Sequence, residues 1–168
     1  GKLIFGENRI QETIEKLPSL KKQHPQLKLH LIGHLQSNKA AEAVKIFDMV
    51  HSVDSIKLAK LLHKEMQKQG KHLDYLLQVN IGEEPQKHGI LPKDIASFLA
   101  MATAIDFMPK GLMCIPPQGE EPTTYFALLK KYALENNLPI LSMGMSADYQ
   151  KAIQVGCSYV RIGTAIWS

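Results

Sequence analysis

The stretch SYVRIGTAIW, residues 158–167, places a guanidinium, a glycine and a hydroxyl close together as Arg161, Gly163 and Thr164. In an extended strand alternate residues share a face, so Val160 and Ile162 point one way while Arg161 and Gly163 point the other. A buried guanidinium is costly unless something hydrogen-bonds it. Arg161 therefore either lies in water on an edge strand or faces a polar ligand that Gly163 lets approach the backbone. A second stretch, LSMGMSADYQKAI (141–153), ends an apolar run and sets Ser146 as the N-cap of a helix predicted over 147–155. The Ser146 hydroxyl and the first helical N–H groups can meet an anion there. Taken singly, Ser146 reads equally well as a plain helix cap, and Gly163 with Thr164 as a tight turn. Side by side with Arg161, the two loops favour a phosphate cup.

Other chemically able residues carry less. His30 and His34 flank Gly33, and a strand histidine satisfied by its neighbours is the expected state of His30. Met143 and Met145 read as core packing, although two flexible thioethers at a strand end are unusual. Glu7 and Glu12 belong to a solvated helix start. Lys87, in the long loop GEEPQKHGILP, is able to reach an anion or an aldehyde. Cys114 and Cys157 have no CxxC spacing and read as free thiols. The seven histidines form no recognisable ligand set, so no metal site is expected. No paired carboxylates stand at the strand ends, which suits glycoside hydrolysis poorly.

These residues need elements to position them, and the apolar pattern supplies an alternating series. Strand-like runs fall at 2–6, 29–33, 49–53, 75–81, 111–115, 139–143 and 159–163. Between them lie amphipathic segments from Glu7 towards Lys22, and over 37–46, 56–69, 92–105, 121–136 and 147–155. The stripe Ile56, Ala59, Leu62, Met66 with Gly70 as a stop is the plainest, and Pro92 announces the fourth. Such alternation means parallel βαβ units. No GxGxxG follows the first strand, which weakens a nucleotide-binding open sheet. Seven units point to a (β/α)₈ barrel whose first βα unit is absent from this chain, since a whole barrel takes about 250 residues. In such folds ligands bind at the C-terminal ends of the strands, where Asn8, Ser146, Arg161, Gly163 and Thr164 fall.

With 168 residues, 45% hydrophobic and 21% charged, the chain suffices for one domain spanning 1–168. The net charge of +4 comes from lysines spread along helical faces, and aromatics are only 7%, so a nucleic-acid platform is not expected. No apolar run reaches the roughly 20 residues of a membrane helix, and a cytoplasmic protein is expected.

The blocks FGENRIQE (5–12), HLIGHLQSNK (30–39), VHSVDS (50–55), LLQVNI (76–81), GLMCIPP (111–117), LSMGMSADYQKAI (141–153) and VRIGTAIW (160–167) together resemble the pyridoxal phosphate homeostasis protein family, single-domain relatives of the alanine racemase N-terminal barrel. The resemblance runs nearly the whole chain in order. It implies a (β/α)₈ barrel binding pyridoxal 5'-phosphate (PLP), with the phosphate held by Ser146, Gly163 and Thr164. It further implies Arg161 at the pyridine nitrogen, Asn8 near the ring and Met145 lining the pocket. An arginine there keeps that nitrogen unprotonated, so the ring is a weaker electron sink. Two departures stand out. The family's Schiff-base lysine sits on a first strand in a VSK-type motif that this sequence lacks, and Trp167 replaces the usual phenylalanine shortly before the chain stops at Ser168.

The resemblance implies a non-enzymatic role in PLP homeostasis with effects on amino-acid metabolism. PLP is the expected ligand, with PLP-dependent apoenzymes as further candidate partners and no catalytic residue of its own. An amino-acid racemase and a phosphate-binding barrel enzyme without PLP are the alternatives.

Overall fold

A computed structural model of the chain describes residues 4–163, apart from the side chains of residues 17, 18, 20 and 21. Seven strands alternate with helices: β1 (Ile4–Glu7), α1 (Ile10–Gln23), β2 (Lys28–Leu31), α2 (Ala40–Ile46), β3 (Met49–Val53), α3 (Ile56–Gln69), β4 (Asp74–Val79), α4 (Ile95–Ala104), β5 (Gly111–Cys114), α5 (Pro122–Glu135), β6 (Ile140–Met145), α6 (Tyr149–Val155) and β7 (Tyr159–Arg161). Short 3₁₀ turns at Ser37–Lys39 and Pro92–Asp94 lead into α2 and α4. Every neighbouring pair is parallel, and the spatial order equals the sequence order, β1 to β7. The seven strands expected from the apolar runs all form.

That the sheet curls into a barrel follows from contacts between strands far apart in its order. The rings of His30 on β2 and Tyr159 on β7 lie 5.4 Å apart, centroid to centroid. Five strand spacings of about 4.8 Å would put them some 24 Å apart in a flat sheet. His51 on β3 likewise reaches Ser142 on β6, and Arg161 on β7 reaches Cys114 on β5. Among the described residues β1 and β7 each have one strand neighbour, so the barrel is nearly closed.

Alternation along the strands builds two interiors. Leu29, Leu31, Val50, Tyr75, Leu77, Leu112, Leu141 and Met143 face the helices and form the main core with Leu58, Leu62, Phe98, Phe126 and Leu129. Met49, Leu76 and Met113 point into the barrel, where Tyr159 packs on them. Strands buried on both faces are continuous apolar runs, as parallel sheets require. β3 to β5 fit this well, being buried almost throughout, whereas Ile4 and Phe5 of β1 are half exposed. Helices end where their chemistry demands. Ser55 caps α3 by accepting from the Leu58 N–H, and Gly70 closes it in the left-handed conformation at φ 59°.

Two local expectations are corrected. β6 continues through Gly144 and Met145, with a register shift after Ser142 that pairs Met145 with Arg161. Ser146 is not a helix cap: residues 146–148 form a turn, and α6 starts at Tyr149 with Asp148 at its N-cap. The reason is a reciprocal bond pair, the Met145 N–H donating to the Asp148 carboxylate at 2.6 Å and the Asp148 N–H donating to the Met145 carbonyl at 3.0 Å. Such a closed turn displaces the helix start by two residues.

Candidate functional site

Tyr159 and Arg161 alternate with the outward Val160, which packs in the helix-facing core. Arg161 is therefore an interior residue, and a hydrogen-bonded chain receives it. Its Nη1 donates to the Ser142 hydroxyl and its Nη2 to the Cys114 carbonyl, each at 2.8 Å. Behind it, Ser142 Oγ lies 2.8 Å from His51 Nδ1, and His51 Nε2 lies 2.9 Å from His30 Nδ1. His30, His51 and Ser142 are all buried. Four interior residues from β2, β3, β6 and β7 thus form one polar line across the barrel.

The charge state of that line follows from its burial. Burial drives the His51 imidazole down to about 3, with the His30 and Arg161 charges acting the same way. Burial also lowers His30. Both rings are therefore neutral near pH 7, and each can pass a hydrogen bond from one nitrogen to the other. Burial lowers Arg161 as well, but a guanidinium keeps its proton in proteins. The line carries a single positive charge, at its Arg161 end.

The strand ends around Arg161 bring several expected residues together. Met145, its register partner, is the last residue of β6 and is exposed. Ser146 follows in the turn and is half-buried, while Gly163 lies two residues past Arg161 in an exposed bend. Among the described residues, a Cβ at Gly163 would meet nothing within 4 Å. Gly144, by contrast, is confined: at φ 89°, its Cβ would stand 2.5 Å from the Ala152 Cβ. It lets α6 lie close against the end of β6. Thr164 lies outside the described residues.

Asn8 stands after β1, on the other side of the gap between β1 and β7, and is exposed. A side chain at Gly33 would collide with the Asn8 carbonyl, so the loop after β2 needs glycine to pack on it. The Ser52 hydroxyl fixes that loop by donating to the Gly33 carbonyl at 2.6 Å. A cleft of about 290 Å³ there is lined by Asn8, Arg9, His34, Gln36 and Lys39. A second cleft, about 190 Å³, opens at the end of β4 beside Asn80, Lys87, His88 and Ile115. Lys87 is held rather than loose. Its ammonium lies 2.5 Å from the Glu84 carboxylate and donates to the Pro116 carbonyl at 3.0 Å.

His30 is a satisfied strand histidine, as its sequence position predicts. His51 and Ser142 were not among the expected residues. Their signal was the alternation itself: His51 shares its face with Met49, and Ser142 is paired in register with Tyr159. Of the two thiols, Cys114 is buried and pushed up to about 12 by burial, while Cys157 is half-buried; both are free.

With this geometry, the fold and the polar interior define the chain as a barrel of the alanine racemase N-terminal-domain class, whose family model matches residues 4–168. Pyridoxal phosphate homeostasis proteins are similar to it at closer range. That of Pseudomonas aeruginosa is 40% identical over 172 residues, covering 97% of this chain and 73% of that protein. That of Vibrio cholerae is 37% identical, covering 99% and 75%. The chain belongs to the pyridoxal phosphate homeostasis protein family. Among solved structures, PipY of Synechococcus elongatus with PLP bound superposes with a TM-score of 0.91 at 37% identity, over 100% of this chain and 82% of PipY. Alanine racemase from Streptomyces lavendulae shares the fold at a TM-score of 0.76 and 16% identity, covering 99% of this chain and 46% of that enzyme. No helix among the described residues is long and apolar enough to cross a membrane.

Proposed function

We propose that this chain binds PLP at the strand ends around Arg161 and serves cytoplasmic PLP homeostasis, delivering or buffering the cofactor for PLP-dependent apoenzymes rather than turning over a substrate. The observation that carries this reading is the anchoring of Arg161. Two of its five N–H donors are fixed inside the barrel by Ser142 and the Cys114 carbonyl, and the others, with no acceptor among the described residues, are the donors assigned to the ligand. An acceptor such as an unprotonated pyridine nitrogen suits them, because neither partner then needs to lose a proton.

The remaining residues fit the group. Ser146 and Gly163 stand at the adjacent ends of β6 and β7, where a phosphate needs hydroxyl and N–H donors; Thr164, outside the described residues, is the third donor that the family resemblance implies. Met145 offers a flexible apolar wall, and Asn8 a polar edge across the mouth. PLP supplies an aldehyde and an electron-withdrawing ring when bound. Arg161 holds the ring nitrogen as an acceptor and so limits that withdrawal. This favours holding the cofactor over catalysing with it. The relatives named for PLP homeostasis and the PLP-bound PipY support the same reading.

Titration with PLP, followed by visible absorbance and protein fluorescence, tests it. Saturable one-to-one binding is expected. Ser146→Ala is expected to weaken it by about 1–2 kcal/mol, the size of a hydrogen bond to a charged group. Arg161→Lys, which keeps the charge but loses the fixed fork, is expected to shift the bound chromophore's absorbance. Affinity unchanged in both variants would overturn the site. Turnover of alanine or serine enantiomers by the purified protein would replace the homeostasis role with a racemase.

A further inference from the structure

We propose that His34, Asp54 and His88 form a binding site for one divalent transition-metal ion of the zinc class. The three residues are remote in sequence, each in the loop after a different strand: β2, β3 and β4. The fold gathers them at the same rim as the clefts described above. His34 Nδ1 lies 3.7 Å from Asp54 Oδ2 and His88 Nδ1 lies 3.8 Å from the same oxygen. The three ligand atoms all fall within 4.8 Å of one another.

These distances are too long for hydrogen bonds and close to what a shared ion imposes. Zinc bound at about 2.0–2.2 Å to nitrogen and oxygen separates its ligand atoms by about 3.4–3.6 Å in tetrahedral or trigonal arrangements. Two edges of the cluster are within a few tenths of an ångström of that spacing. The two imidazoles stack at 4.0 Å with planes 16° apart, which lines up both Nδ1 atoms near the carboxylate. Binding needs the rings to splay so that both lone pairs aim at one point. Their side chains, 40% and 61% exposed, have room to do so, while the Asp54 carboxylate, at 18%, is largely shielded from water.

The donor set selects the ion. Two imidazole nitrogens with one carboxylate oxygen suit zinc, cobalt, nickel or copper, whereas calcium and magnesium prefer all-oxygen shells. Three protein ligands also leave a coordination position for water or a small anion. A bound ion would tie together the loops after β2, β3 and β4, which carry residues lining both clefts. The Lys87 ammonium next to His88 is neutralised by Glu84, so its charge is compensated locally.

The test uses protein freed of metal by a chelator and free of PLP, so that its outcome is independent of the cofactor reading. Zinc is titrated by calorimetry, and cobalt(II) by visible absorbance. One equivalent of zinc is expected to bind, and cobalt(II) to give the intense visible bands of a low-coordinate site. His34→Ala and His88→Ala are each expected to weaken binding by about tenfold or more, and Asp54→Asn similarly. His72→Ala, whose imidazole pairs with Asp74 elsewhere, is expected to leave it unchanged. Excess zinc is expected to raise the melting temperature of the wild type but not of the His34→Ala, His88→Ala double variant. Both histidines are solvent-facing, so these variants fold even if Asp54→Asn does not. Absence of stoichiometric binding, or binding that survives in the double variant, would overturn the site.

Discussion

The Nη1 of Arg161 donates to the hydroxyl of Ser142 at 2.8 Å, and that bond decides where the only charge in the barrel's polar line sits. Arg161 is on β7 and Ser142 on β6, neighbours in the sheet, with the hydroxyl also in contact with His51 from the opposite wall. Ser142 is fully buried. Ser142→Ala leaves a buried guanidinium N–H and a buried imidazole nitrogen each short of a partner. A loss of about 1–3 kcal/mol is expected for such an orphaned pair. Urea unfolding measures it, and an unchanged midpoint would mean that water or a neighbour takes the hydroxyl's place.

Two glycines near the site are expected to behave in opposite ways. Gly144 combines φ 89° with a Cβ position 2.5 Å from Ala152, so Gly144→Ala must strain the backbone and push α6 outward. A cost of about 1–3 kcal/mol follows. Gly163 has no described atom within 4 Å of an added Cβ, and Gly163→Ala is expected to leave the melting temperature unchanged. The same substitution is expected to weaken PLP binding, because the methyl group occupies the room a phosphate needs beside that backbone. Equal affinity for PLP in Gly163→Ala and the wild type would remove Gly163 from the proposed cup.

Asn80 organises the loop that brings Lys87 and His88 to the rim. Its Nδ2 donates to the Glu84 carbonyl at 2.8 Å, and its Oδ1 accepts from the Glu84 N–H at 3.2 Å. The loop then returns so that Ile90 bridges Val79 alongside β4. Asn80→Ala removes both side-chain bonds, and a loss of about 1–2 kcal/mol is expected. Faster amide hydrogen exchange across residues 80–90, with protection of the central strands retained, is the signature. Uniform exchange changes throughout the barrel would show that Asn80 acts on global stability instead.

The parallel barrel was legible because each of its strands is a short apolar run bounded by a helix of helical period, and buried strands have no other pattern to hide behind. Arg161 was legible for the opposite reason, as a charge inside such a run. What lies opposite it in the barrel is not written in local sequence. His51, Ser142 and Arg161 are separated by 91 and 19 residues, and only curvature of the sheet puts them in line. The cluster of His34, Asp54 and His88 was hidden in the same way, since no short motif spaces ligands across three loops. Ser146 misled because a serine before a helical run looks like a cap, while the competing turn over 146–148 depends on the paired bonds between Met145 and Asp148.

The buried histidines give the fold a pH dependence whose direction is fixed. In the folded chain His51 titrates only near 3, mainly because it is buried, whereas an unfolded histidine titrates near 6.5. Between these values the unfolded chain binds a proton that the folded chain refuses. The contribution of His51 is therefore fully present above the unfolded value of about 6.5 and is lost as the pH falls towards 3, by about 1.4 kcal/mol per unit. At pH 5 the loss attributable to His51 is about 2 kcal/mol, and His30, lowered by burial too, adds in the same direction. His51→Gln keeps an amide beside Ser142 and His30 but cannot titrate in this range. Urea unfolding of both proteins at a series of pH values from 7 to 5 is expected to show a shallower decline in His51→Gln, the two curves converging towards the acid end of the range. Parallel curves would place the proton uptake on other groups and would leave His51 as a purely structural member of the line.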